Sequence, residues 1–147
     1  MNLRRCLLAL FAGFLLPSLH LRAQSIRRLA PDLILAMPIS ADAANDGSTV
    51  VADFTEPAVH YIGADGKLRW SLKSKGSGPG DILRPYRVAI GENTVWVYDY
   101  TVRDVSVFSR SGKYLKRVRL SLALTIVDDI VAIGDTLIAV LGATRHA

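Results

Sequence analysis

Short runs of β-branched and aromatic residues recur along this chain, separated by clusters of Gly, Asp, Asn and Ser. Val95-Trp96-Val97-Tyr98 and Val105-Ser106-Val107-Phe108 are two such runs, and Tyr114 to Leu120 (YLKRVRL) alternates apolar with basic residues. Runs of this length, bounded by turn formers, predict strands. No ten-residue stretch beyond the N-terminal segment keeps a helical period, so the pattern predicts an all-β fold.

The pattern repeats. Residues 48–70 (STVVADFTEPAVHYIGADGKLRW) align without a gap on residues 94–116 (TVWVYDYTVRDVSVFSRSGKYLK) at an offset of 46. Asp53 falls on Asp99, Gly66 on Gly112, Val51 on Val97 and Val59 on Val105. Gly134-Asp135-Thr136-Leu137-Ile138 echoes Glu92-Asn93-Thr94-Val95-Trp96 and suggests a third start. A period in the forties built from four short strands is the content of one propeller blade. Strands are expected near 36–41, 48–52, 58–62 and 68–72 in the first repeat, and near 86–90, 94–98, 104–108 and 114–120 in the second. The expected fold is therefore a partial β-propeller: two four-stranded antiparallel blades, about 36–72 and 86–120, and a third starting about 124.

Between the repeats lies GSGPGDILRP, residues 76–85. Gly80 is followed by Asp81 rather than Lys-Ser/Thr, and a strand rather than a helix follows, so a phosphate cradle is not expected. The stretch reads as the crossing from the outer edge of one blade to the inner edge of the next. Glycine there supplies positive φ, Pro85 begins an inner strand without disturbing the ladder, and Ile82 and Leu83 anchor the seam.

The run Gly78-Pro79-Gly80-Asp81…Pro85, then Val95-Trp96-Val97-Tyr98-Asp99, then Val105-Ser106-Val107-Phe108, then Gly112-Lys113-Tyr114-Leu115 resembles the NHL-type repeat of six-bladed β-propellers, especially exported bacterial 6-bladed β-propeller proteins. The close match covers residues 76–120 and a looser one 46–72. The resemblance implies a ring in which the loops and inner strands at one face bind ligands. A six-bladed ring needs roughly 270 residues, so this 147-residue chain reads as the N-terminal fragment of such a ring.

Composition changes the picture at the N-terminus. Hydrophobic residues make up 50% of the chain, and the mean hydropathy is +0.28. Much of this sits in Cys6 to Leu16 (CLLALFAGFLL), behind Arg4 and Arg5 and ahead of Pro17 and Ala23. That is the layout of a secretory signal peptide over 1–23, cleaved most simply after Ala23. An extracytoplasmic protein, periplasmic or secreted, is expected; membrane contact would come only through an uncleaved signal. With 18 basic and 13 acidic residues the whole chain carries +5. Loss of Arg4, Arg5 and Arg22 leaves +2 with no basic stripe, so no nucleic-acid partner is expected. The single cysteine, Cys6, leaves with the signal, so the mature chain has no disulfide and no thiol chemistry.

Candidate chemistry is sparse. Asp53 and Asp99 are expected to be structural repeat positions that accept backbone N–H groups in the following turn; Gly66, Gly112, Gly78, Pro79, Gly80 and Pro85 are assigned the same structural status. His60 reads as a packed or exposed strand histidine rather than a catalytic one, and Trp70 and Trp96 read as blade packing. Asp128-Asp129 interrupts an apolar run; a turn or bulge is the plainer reading, but a channel-facing Asp128 is a candidate. Arg84, Tyr86 and Arg87, at the junction of loop and inner strand, are with Asp128 the candidate ligand-binding residues. No catalytic residue, metal site or cofactor is assigned. The function expected is a non-catalytic, exported repeat module binding a protein, peptide or glycan. The alternative is a fragment of a metal-dependent propeller lyase or lactone hydrolase whose other blades supply the ligands. Open blade edges also make self-association a candidate partner mode.

Overall fold

The computed structural model describes residues 28–73, 76, 78–120 and 126–144; the expected signal peptide lies outside the described residues. The fold is all-β. The first sheet holds β1 (Pro38–Ala43), β2 (Thr49–Asp53), β3 (Ala58–Ile62) and β4 (Leu68–Leu72). The second holds β5 (Pro85–Ile90), β6 (Thr94–Asp99), β7 (Asp104–Ser109) and β8 (Tyr114–Arg119), and the third holds β9 (Ile126–Ile133) and β10 (Leu137–Ala143). Each sheet is an antiparallel meander in chain order, four, four and two strands among the described residues, consistent with partial propeller blades.

The sheets stack face to face, which explains the hydrophobic pattern. Strands β2, β3, β6 and β7 are buried along nearly their whole length because both faces are covered, so they read as continuous apolar runs. Alternate residues of one strand serve different seams. Val95 and Val97 face the first sheet, joining Val50, Ala52, Val59, Tyr61, Val88 and Phe108; Trp96 and Tyr98 face the third, joining Val105, Val107, Val127 and Ile130. The outermost strand β8 carries Lys116, Arg117 and Arg119, charges that suit an exposed edge.

Across the two four-stranded sheets the strand boundaries fall within one residue of expectation except at β1, which is shifted furthest. The first strand starts at Pro38, two residues later than the pattern suggested. The N–H groups of Ala36 and Met37 donate to the Asp53 carboxylate, at 2.6 and 3.1 Å, instead of entering the ladder. The lead-in stretch also covers the first sheet's far face, where Leu29, Leu33 and Leu35 pack around buried Ala30, Val51 and Ile62.

Residues 78–84 lead into β5. The Gly78 N–H donates to the Asp81 carboxylate at 2.9 Å, so the loop's own side chain takes the place an anion would occupy. Ile82, 1% exposed, plugs the seam between the first and second sheets, while Leu83 is only half-buried. Gly80 has φ +86°, and an added Cβ would lie 3.1 Å from Tyr114 Cβ. Arg117 Nη2 donates to the carbonyls of Gly78 and Asp81, tying the loop to β8.

Candidate functional site

The two repeat aspartates organise one end of the molecule. Asp99 ends β6, is 4% exposed, and accepts four backbone N–H groups: Thr101 and Val102 in the following turn, and Leu83 and Arg84 in the lead-in to β5. Asp53 does the same in the first sheet with Glu56, Ala36 and Met37. Burial opposes the charged form of Asp53, but these N–H donors outweigh it and hold its carboxyl below the usual carboxylate range. Both carboxylates are thus consumed by the backbone. The reach back to the lead-in segment is a long-range contact that a turn argument alone does not contain.

The residue after each aspartate is aromatic, and the backbone fixes both. The Phe54 N–H donates to the Met37 carbonyl at 3.0 Å, and the Tyr100 N–H to the Arg84 carbonyl at 2.9 Å. Phe54, Tyr86 and Tyr100 therefore meet at the start of β5: Tyr86 lies edge-on to Phe54, centroids 6.0 Å apart, and tilted against Tyr100 at 5.3 Å. Two guanidinium groups lie on these rings. Arg84 sits over Phe54 at 5.4 Å, and Arg87 over Tyr86 at 4.0 Å. Cation–ring contacts of this kind draw a guanidinium to the ring face. Tyr100 is 47% exposed and Arg84 is exposed. Neither arginine makes an ion pair among the described residues.

Of the four candidate binding residues, Arg84, Tyr86 and Arg87 come together here. Asp128 meets them only through its backbone: Arg87 Nε donates to the Asp128 carbonyl, and Arg87 Nη1 to the Tyr86 carbonyl. The Asp128 side chain is exposed on β9, as is that of Asp129. Leu141 pairs with Asp129 and Gly142 with Val127, leaving Asp128 as the extra residue of a β-bulge. Phe54 and Tyr100 escaped the sequence argument, although the signal was present: they fall on each other at the same offset of 46 as the aspartates before them.

The other singled-out residues lie elsewhere. His60 is 2% exposed in β3, with Nδ1 2.8 Å from Ser71 Oγ. Burial, then Lys73, push its pKa down, so it is neutral at pH 7. Trp96 is buried in the second seam and donates to Thr94 Oγ1; Trp70 stacks on Tyr61 and donates to the Arg110 carbonyl, linking two sheets. At the opposite end, a cleft of about 410 Å³ lies among the turns of all three sheets. Two of its charged side chains, Arg110 and Asp46, are already engaged with each other. Arg110 bonds Asp46 at 2.6 Å and the Gly91 carbonyl at 2.8 Å, and hydrogen bonds from Ser48, then Arg110, lower the Asp46 pKa to about 2. Among the described residues no three His, Cys, Asp or Glu side chains are grouped to hold a metal ion, and no helix is long and apolar enough to cross a membrane. No family model matches the chain, and no curated protein matches it.

Proposed function

We propose that this chain is an exported, non-catalytic module of NHL-like, six-bladed propeller type that binds a protein, peptide or glycan through the aromatic–arginine face at the start of β5. The carrying observation is the convergence of Phe54, Tyr86 and Tyr100 from three segments, overlaid by Arg84 and Arg87, where no repeat packing requires Tyr100 to be half exposed. Exposed aromatic and arginine side chains held in place by the backbone are the composition of a recognition surface. The buried carboxylates of Asp53 and Asp99 nearby are occupied by backbone N–H donors. The reading of the N-terminal segment as a secretory signal supports placement outside the cytoplasm.

The test is a binding array of glycans and peptides probed with the purified protein and with a Phe54→Ala/Tyr100→Ala double variant. Signals specific to the unaltered protein are expected to fall at least tenfold in the variant. Undiminished signals from a variant of unchanged melting temperature would place binding elsewhere and sink this reading.

A further inference from the structure

We infer that the ligand of this face is a carboxylate-bearing glycan, with its acidic group on Arg84 and a sugar ring on Tyr100. The inference deepens the binding reading above and rests on it. Three features of the site point to this chemistry.

First, the two arginines are not equivalent. Arg87 is already engaged by backbone: its Nε and Nη1 donate to the carbonyls of Asp128 and Tyr86, and its Cζ lies over the Tyr86 ring. Arg84 is bound only through its backbone, to the Asp99 carboxylate and the Tyr100 N–H, and its guanidinium rests on Phe54 with no carboxylate partner among the described residues. An exposed, unpaired guanidinium offers parallel N–H donors to a carboxylate. Second, the Arg87 side of the face is already occupied by the Asp128 carbonyl, and the Asp128 side chain is exposed on β9 beside it, which favours Arg84 as the seat of the ligand's acid. Third, the backbone leaves little for a peptide. A peptide docking as an added strand needs free N–H donors along the inner edge of β5. Pro85 has none, the Val88 N–H is taken by Ser40 Oγ at 3.2 Å, and the Ile90 N–H by Asp42 at 2.8 Å. What remains is ring surface and a cation, which suits the C–H face of a sugar and an acidic substituent.

The experiment is calorimetric titration with a mannuronate oligosaccharide, its neutral methyl ester, and a polyglutamate peptide, using the unaltered protein, Arg84→Gln and Tyr100→Ala. Expected is tightest binding of the acidic sugar. Arg84→Gln should weaken it about tenfold, toward the level of the ester, and weaken the ester by much less. Tyr100→Ala should weaken acid and ester alike. Melting temperatures of both variants should match the unaltered protein, because both side chains are exposed. If the ester binds as tightly as the acid, the acidic class is overturned and the binding face stands. If polyglutamate is bound in preference to the sugar, and Arg84→Gln abolishes it, the glycan is overturned and the face again stands. If no probe binds, the inference fails outright, and the array with Phe54→Ala/Tyr100→Ala judges the binding reading separately.

Discussion

The first and second sheets are two copies of one repeat, and they agree inside the sheet while differing between sheets. Inside, Asp53 and Asp99 each gather backbone donors from the following turn and from the lead-in stretch, and Gly66 and Gly112 turn the same hairpins at φ +80° and +85°. Between sheets the chemistry changes. Ser40 and Asp42 on β1 accept N–H groups from β5. The corresponding positions on β5, by pairing with β6, are Arg87 and Ala89, and there Arg87 donates to a carbonyl of β9. The second sheet is packed on both faces by other sheets, whereas the first has the 28–35 stretch on one face. Each copy must satisfy its own turn, so turn residues recur. Each seam needs only matched donors, acceptors and volume, so seam residues drift.

The largest test of that contrast lies in the two tryptophans. Trp96, 1% exposed, fills the seam between the second and third sheets, while Trp70 is half-buried at an edge. Trp96→Ala is expected to cost about 4 kcal/mol and Trp70→Ala about 2 kcal/mol in urea unfolding. Equal costs would show that the two sheets are equally loaded. Next come the aspartates. Asp99→Ala strands four backbone donors and is expected to cost about 3 kcal/mol, with Asp53→Ala somewhat less because three hydrogen bonds are lost. A larger loss at Asp53 would reverse the ranking and point to the 28–37 stretch as the weaker joint.

Glycine substitutions sharpen the difference between turn and seam. Gly47→Ala meets only the cost of φ +86°, because its Cβ would point into open space; about 1 kcal/mol is expected. Gly112→Ala adds a contact at 3.2 Å with the Trp70 ring, and about 2 kcal/mol is expected. Matching values would mean that Trp70 moves aside freely. The smallest effect is pH-dependent. His60 in the first sheet stands where the second has Ser106. Its folded pKa lies below the unfolded value near 6.5, so above that value the histidine is neutral in both states and contributes no slope. As pH falls below about 6.5 the unfolded chain takes up the proton first, and stability declines until the folded pKa is passed. His60→Ser should remove that decline; melting curves across this window that stay parallel would exclude a role for His60 burial.

Much of the fold was legible because the local signals agreed. Strand β3 at 58–62 and β4 at 68–72 match the β-rich runs and their glycine turns. The misjudged start of β1 came from a side chain seventeen residues away capturing two N–H groups, which no local pattern contains. The candidate site was half legible. Arg84, Tyr86 and Arg87 were found from their place at a loop-to-strand junction. Phe54 and Tyr100 were hidden because an aromatic after a strand reads equally as packing.

The sequence by itself determined the strand content, the 46-residue repeat and the turn positions, since period-two burial, β-branching and glycine's access to positive φ act over a few residues. Only the tertiary structure decided which arginine donates to backbone carbonyls and which does not. It also turned a bulged aspartate's carbonyl, rather than its carboxylate, toward Arg87, and brought three rings from separate segments together. Those outcomes depend on how neighbouring sheets dock, and docking is set by the summed shape and hydrogen-bond matching of two whole surfaces rather than by any one run of residues.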